Sequence, residues 1–255
     1  MKHLTSRDNA LFKTLKKLND TARERKIAKQ TLLDGVHLIE SYMAQYGEPK
    51  LLIIPEGKSS REAVGLLQQA DDDKLVMFPT LMFAELTPVT SSTGILALVD
   101  IPEISTPDSL PFVLLLEDIQ DPGNLGAILR TAAAAGVSMV VCSKGCTDVW
   151  SPKCLRGAQG AHFVLPIHED VDLVNFAKGF TGQVLATSLQ GDSIYALDLT
   201  GPTALIIGNE GAGISPSLMH VATRKISIPM TNAVESLNAA VAAAVFMYER
   251  VRQCI

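Results

Sequence analysis

Apolar residues recur along the chain at helical spacing in some stretches and as strand-like runs in others, and the switches between the two mark out its elements. Within residues 6–29, Leu11, Leu15 and Leu18 share one helical face while Lys13, Lys16, Lys17, Arg23, Arg25, Lys26 and Lys29 lie mostly on the others. That pattern predicts one or two basic helices. A helical pattern over LLDGVHLIESYMAQY follows, then a strand LLIIP at 51–55, a helix near 60–70, a strand KLVMF at 74–78, a short helix TLMFAEL and a strand ILALVDI at 95–101. The Pro- and Ser-bearing stretch IPEISTPDSLP interrupts the apolar pattern and reads as a linker. The expected division is a small α/β domain at 1–101, a linker at 102–111 and a larger domain at 112–255.

In the larger domain, runs FVLLLED, SMVVCS, FVLPIH, QVLATSL, TALIIG and KISIP read as strands. NLGAILRTAAAAG, a stretch near 151–161, VDLVNFAKGF, SPSLMHVA and a long Ala-rich terminus read as helices. Near-continuous apolar strands that alternate with helices form a mostly parallel sheet with helices on both faces. Such sheets bind ligands outside the carboxyl ends of their strands.

Composition narrows the classes. Of the 255 residues 47% are hydrophobic and 19% charged, which excludes a disordered chain. Cys142, Cys146, Cys154 and Cys254 make no disulfide framework and suit a reducing compartment, so the cytoplasm is expected. The N-terminus has no apolar signal region, and the stretch 237–247 is too short to span a bilayer, so no membrane association is expected. The net charge of −5 argues against nucleic acid only if it is evenly spread. Residues 1–30 carry nine basic and three acidic side chains, a surplus of +6, and the remainder carries −11. The basic arm, with Arg7, Lys13, Lys16, Lys17, Arg23, Arg25, Lys26 and Lys29, is either a solvated helical face or a set of phosphate contacts for an anionic partner.

Three strand ends carry loops too polar and too Gly-rich for plain connectors: EDIQDPGNLGAILRTA at 117–132, IIGNEGAGISP at 206–216 and IPMTNAVESLNAAVAAAV at 228–245. In the first, Asn124 is placed to cap a helix that carries Arg130 six residues later, the only charge between Asp121 and Lys144. A lone guanidinium on an apolar helix usually has an anionic partner. The second surrounds Asn209 and Glu210 with Gly208, Gly211 and Gly213, yet it is neither a dinucleotide fingerprint nor a Walker loop. In the third, Ser236 and Asn238 read most simply as helix caps.

Taken together and in order, DPGNLGAILRTA, IIGNEGAGIS and ISIPMTNAVESLNAAVAAA resemble the three motifs of the SpoU/TrmH-type RNA 2′-O-ribose methyltransferases of the SPOUT superfamily. The resemblance is strong over 111–255. The N-terminal third, with LLDGVHLIESYM, is similar to the ribosomal-protein-like α/β domain with which many members bind substrate. Against the family pattern, Asp121 stands where Asn is commoner, Asn232-Ala233 replaces a Gly-containing turn, and Ala239 stands where Val is commoner.

The resemblance implies an α/β fold with a C-terminal trefoil knot that holds S-adenosylmethionine (AdoMet). It implies backbone contacts to that cofactor around Ser188, Leu189, Gly208, Ile228 and Leu237. It puts the catalytic side chains at Asn124, Arg130, Glu210, Ser236 and Asn238, with Asn124 and Glu210 orienting Arg130 and the loops. Arg130 either stabilises the developing alkoxide and grips a phosphate, which we favour because guanidinium stays protonated, or transiently accepts the proton. The implied reaction is methyl transfer to a ribose 2′-OH, with large-subunit rRNA ranked above tRNA as substrate. A homodimer through the C-terminal domain is implied too, and Ala239, Ala240, Ala242, Ala243 and Ala244 offer it a small-residue surface. No metal is expected, since the spacing of Cys142, Cys146, Cys154 and His162 matches no common zinc motif. The competing classes are a noncatalytic knotted RNA-binding protein and an unrelated nucleotide-dependent α/β enzyme.

Overall fold

The computed structural model describes residues 1–57, 60–68, 70–87, 94–231 and 236–255. They form two compact units, Met1–Glu103 with Trp150–Phe163, and Ile104–Val149 with Val164–Ile255.

The first unit is built on strands β1 (Lys2–His3), β2 (Gln30–Asp34), β3 (Leu51–Pro55), β4 (Leu75–Phe78) and β5 (Leu96–Asp100), in the sheet order β1-β4-β3-β5-β2. Pairing is parallel from β1 to β3 and antiparallel across β5. Alternation along the strands feeds two cores. Leu32, Ile53, Val76, Leu96 and Leu98 pack with Phe12, Leu15 and Leu18 of α1 (Ala10–Asp20). Leu33, Leu52, Ile54, Ala97 and Val99 pack with Val36, Leu38, Ile39 and Tyr42 of α3 (Val36–Tyr46). The basic arm is therefore two helices, α1 and α2 (Ala22–Ala28), with the leucines of α1 turned inward. Two further helices, α4 (Arg61–Leu67) and α5 (Thr80–Ala84), complete the N-terminal stretch. Residues 32–34, which the helical pattern took in, belong instead to β2, where all five residues pair with β5.

Residues 150–163 lie in the expected C-terminal domain by sequence but in the first unit by packing. They hold α7 (Pro152–Ala158) and a 3-10 turn at Ala161–Phe163. Leu155 and Phe163 enter the core against α3, and Trp150 packs on it. The expected strand FVLPIH is thus split. Phe163 is spent on the first unit, and only Ile167–His168 pair in the second, as β8.

The second unit is a six-stranded, wholly parallel sheet in the order β11-β9-β10-β6-β7-β8. Its remaining strands are β6 (Phe112–Leu116), β7 (Met139–Cys142), β9 (Gln183–Ser193), β10 (Thr203–Ile207) and β11 (Arg224–Ser227). Val113, Leu115, Met139, Val141, Val184, Ala186, Ala204 and Ile206 form a core with Leu173 and Ala177 of α8 (Leu173–Gly179) and Leu218 of α9 (Pro216–Val221). The alternate residues Leu114 and Leu116 are buried as well. Helices α6 (Pro122–Ala134) and α10 (Ala239–Cys254) contact each other and bury Leu125, Ile128, Leu129, Phe246 and Met247. Strands hydrophobic on both faces, as the sequence shows, require this two-sided cover.

Candidate active site

Strands β6 and β10 are neighbours, but the chain leaves β6 outward through β7 and β8, and returns through β9 on the far side before entering β10. The strand order reverses there, and a crevice opens at the carboxyl ends of such strands. All three motif loops start at strand ends on that edge, after β6, β10 and β11.

The first loop departs from expectation in a useful way. The cap of α6 is Asp121, whose Oδ1 accepts from the backbone N–H of Asn124 at 2.8 Å, with Pro122 in the first turn. Asn124 is thereby relieved of capping, and its side chain faces the other loops. Its Nδ2 donates to Glu210 Oε1 at 3.1 Å, and its Oδ1 accepts from Asn238 Nδ2 at 2.9 Å. Asn238 does cap its helix: its Oδ1 accepts from the N–H groups of Ala240 at 2.9 Å and Val241 at 3.3 Å. One chain of side-chain bonds therefore joins residues of all three loops.

Glu210 is the acceptor at its centre. Besides Asn124 it receives the backbone N–H of Gln120 on Oε2 at 3.2 Å and that of Asp121 on Oε1 at 3.3 Å. Partial burial pushes its pKa up, but the bonds from Asn124 and from the amides outweigh burial and hold the carboxyl below its ordinary value. A carboxylate that takes this many donors stays ionised and serves as a clamp. Its neighbour Asn209 folds the second loop: Oδ1 accepts from Gly211 and Ala212 at 2.9 and 2.8 Å, and Nδ2 donates to Asp118 O at 2.8 Å.

Arg130 and Ser236 are not drawn into this network. Both are exposed, and among the described residues Arg130 makes no hydrogen bond or ion pair. Among the described residues neither Asn124 nor Glu210 bonds to Arg130; their side chains join the loops instead. Residues 232–235, which include the Asn232-Ala233 turn, lie outside the described residues.

Of the residues expected to hold the cofactor, Ser188 and Leu189 lie in β9, Gly208 and Ile228 directly follow β10 and β11, and Leu237 precedes α10. Leu189 is 72% exposed, Leu237 37%, and Met230, two residues after Ile228, 40%. Ser188, Gly208 and Ile228 are half-buried. Apolar side chains left open at strand ends suit an adenine ring and a thioether, so the residues present fit AdoMet. Glycine at 208 is also required within the protein: a Cβ there would lie 2.5 Å from Gly213 C and 2.6 Å from Ile214 N. Glycine lets the second loop close on itself, as the paired bonds between Asn209 and Gly213 show.

Sequence reading singled out neither the loop at 143–147 nor Asp118 and Gln120 of the first motif loop, which bond to it. The signal was a polar, glycine-bearing S-K-G-C-T run at a fourth strand end. Among the described residues, no cluster of His, Cys, Asp and Glu could hold a metal ion, and no helix is long and apolar enough to cross a membrane.

In the first unit the basic arm divides. Lys17 and Arg23 are exposed. Arg7 pairs with Glu85 at 2.7 Å, Lys13 with Asp8 at 2.8 Å, Lys16 with Asp20 at 3.7 Å and Lys29 with Glu103 at 2.7 Å, all at the surface. Arg25 is not a phosphate contact: it is buried, and its Nη1 donates to the backbone oxygens of Leu18 and Asn19 at the end of α1. Orphan carbonyls at a helix C-terminus need such donors.

A parallel sheet with open apolar residues at its strand ends, and polar loops bonded together at its switch point, defines an α/β enzyme that binds a small cofactor at the sheet edge. The chain belongs to the SpoU rRNA Methylase family, whose model matches residues 111–248. It is 35% identical to an uncharacterized tRNA/rRNA methyltransferase of Synechocystis sp., over 98% of this chain and 93% of that protein. It is 34% identical to the 23S rRNA (guanosine(2553)-2′-O)-methyltransferase RlmP of Bacillus subtilis, over 97% of this chain and 98% of that one. The solved SpoU methyltransferase AviRb from Streptomyces viridochromogenes, in complex with AdoMet, superimposes with a TM-score of 0.83 at 28% identity, covering 96% of this chain and 98% of that one.

Proposed function

We propose that the protein transfers a methyl group from AdoMet to a ribose 2′-OH of 23S rRNA. The observation that carries this reading is the bond chain Asn238–Asn124–Glu210, which ties the three motif loops into one edge beside the open apolar residues. Its relatives named as 23S rRNA 2′-O-methyltransferases in B. subtilis and S. viridochromogenes support the substrate class.

Bound AdoMet supplies the sulfonium methyl. The chain must hold the acceptor ribose, stabilise the oxygen as its proton passes to solvent water, and keep the loops in register. Arg130 does the first two: a permanently charged planar fork, unengaged by the described residues, grips a flanking phosphate and the developing alkoxide. Glu210 and Asn124 hold the loops, and Asn238 couples the start of α10 to them. Ser236 lies exposed beside Leu237, where it contacts the target nucleotide.

RNA is gathered by the exposed cations of α1 and α2, among them Lys17 and Arg23. The knot belongs to this reading as a property that the family resemblance implies. So does a homodimer in the cytoplasm: α10 leaves Val241 and Tyr248 exposed one heptad apart, beside small alanines. Sedimentation at micromolar concentration tests the dimer.

The decisive experiment is calorimetry with AdoMet, followed by mapping of 2′-O-methyl sites in RNA from a deletion strain. Micromolar AdoMet binding and one lost 23S site support the assignment. A lost tRNA site would move the substrate, and tight RNA binding without AdoMet binding would leave a noncatalytic protein.

A further inference from the structure

The loop at 143–147, after β7, carries none of the motif side chains, yet it is bonded along its length to the loop after β6. Ser143 N–H donates to Leu116 O at 2.9 Å, and Thr147 N–H donates to Ile119 O at 2.8 Å. Between them, Ser143 Oγ donates to Asp118 Oδ1 at 2.6 Å and accepts from Asp118 N–H at 2.9 Å. Gln120 Nε2 donates to Gly145 O at 2.6 Å.

Asp118 is the residue on which these bonds converge. Its φ is 54°, in the left-handed region that side chains other than those of Asn and Asp seldom occupy. Its carboxylate takes the Ser143 hydroxyl, and its carbonyl takes Asn209 Nδ2 at 2.8 Å, so it touches the loops after β7 and β10 at once. Residue 145 must be glycine for this arrangement: a Cβ there would lie 2.1 Å from Asp118 Oδ1 and 2.4 Å from Cγ. Two and three residues after Asp118 come the N–H groups of Gln120 and Asp121 that hold Glu210.

We propose that Asp118, locked by Ser143 and by the absent side chain of Gly145, is a positioning residue. It aims the Gln120 and Asp121 amides at Glu210, and through Glu210 it sets Asn124. This rests on the function proposed above for its kinetic consequence, but not for its geometry. A side chain that only stabilised the fold would lower the melting temperature and spare the turnover of the folded enzyme. One that sets catalytic geometry lowers kcat and leaves cofactor affinity alone.

The test uses the full-length protein with Asp118→Asn, Asp118→Gly, Ser143→Ala, Gly145→Ala and the double variant D118G/G145A. Two quantities are read: amide hydrogen exchange at Gln120 and Asp121 by NMR, and kcat against KM for AdoMet in transfer to 23S rRNA. Asp118→Asn keeps an acceptor and tolerates positive φ, so it should stay within about twofold of wild type. Asp118→Gly and Ser143→Ala should speed exchange at both amides and lower kcat on the order of tenfold, with KM for AdoMet unchanged. Gly145→Ala should cost more than either, and adding Asp118→Gly should bring kcat back to the level of Asp118→Gly alone, since the collision partner is gone. Unaltered exchange in Ser143→Ala and Asp118→Gly overturns the proposal, and so does a defect confined to KM for AdoMet or a Gly145→Ala defect that Asp118→Gly fails to relieve. If the wild type transfers no methyl group, the function above fails, and the exchange rates alone then decide the positioning.

Discussion

Asn124 and Glu210, 86 residues apart in the chain, meet in a bond of 3.1 Å whose direction is forced. An ionised carboxylate can only accept, so Asn124 must present Nδ2 to it; Asn124 then has only Oδ1 for Asn238, which presents its own Nδ2 and is left with Oδ1 for the first amides of α10. The polarity of the whole relay is set at Glu210. Replacing Glu210 with Gln removes the charge and sets an amide NH2 against donors. The expected cost is about 1–3 kcal/mol of stability for unpaired groups, read by thermal melting, together with a loss of methyl transfer that AdoMet saturation does not restore.

Arg130 offers a contrast, because it has no partner among the described residues to lose. Arg130→Ala and Arg130→Lys are expected to leave the melting temperature and AdoMet affinity at wild-type values. Methyl transfer should fall by about a hundredfold or more in both, since Lys keeps the charge but not the fork. Single-turnover transfer at the wild-type rate by either variant would remove Arg130 from the chemistry.

How much of this could be read from residues alone depends on sequence distance. The element order of the parallel sheet and the three loops was legible, because apolar runs and glycine-rich strand ends are local signals. The cap of α6 at Asp121 had a local signal in Pro122, which favours the first helical position, but the bond from Asn124 to Glu210 had none, because it joins residues far apart in the chain. Arg25 looked like a surface cation because helical periodicity treats every Arg as solvated, whereas the turn between α1 and α2 folds it back onto α1. The approach of Gly145 to Asp118 joins two loops through the fold and has no local signature at all.

The segment 150–163 makes the first unit discontinuous, with a measurable consequence. Phe163 is 3% exposed, its ring meets Tyr42 edge-on at 5.5 Å, and its carbonyl accepts from Tyr46 Oη at 3.1 Å. Phe163→Ala in the full chain should destabilise the first unit by about 3–5 kcal/mol, seen in calorimetry as an earlier melting step. If melting is unchanged, the segment is not part of that core.

The basic arm should separate binding from folding. Reversing Lys13, Lys16, Lys17 and Arg23 to Glu should weaken RNA binding and flatten its salt dependence, by about 0.7–0.9 in the log–log slope for each phosphate that the arm no longer neutralises. Arg25→Ala should leave that slope intact and cost about 1–3 kcal/mol of stability, because the carbonyls of Leu18 and Asn19 lose their donor. Filter binding across a salt series, with melting of each variant, distinguishes the two; equal slopes for wild type and the fourfold variant would displace the RNA surface from α1 and α2.

The acid limb of stability should carry the mark of Glu249 in α10. Its side chain is buried and accepts two bonds from Arg252, at 2.8 and 2.9 Å, and one from Gln253 at 2.8 Å. Gln253 in turn clasps the backbone of Leu197 and Leu199. The bonds from Arg252, then that from Gln253, outweigh burial and lower the pKa from 4.5 to about 2. A carboxyl with a depressed folded-state pKa binds its proton more readily when unfolded, so its contribution is complete above the ordinary value and drains away as pH falls towards about 2. Glu249→Gln abolishes that titration. Urea denaturation between pH 7 and pH 2 should therefore show the variant less stable than wild type at neutral pH, with the two curves converging as the acid takes the wild-type advantage away. Parallel curves over the whole range would mean that Glu249 titrates alike in the folded and unfolded chains.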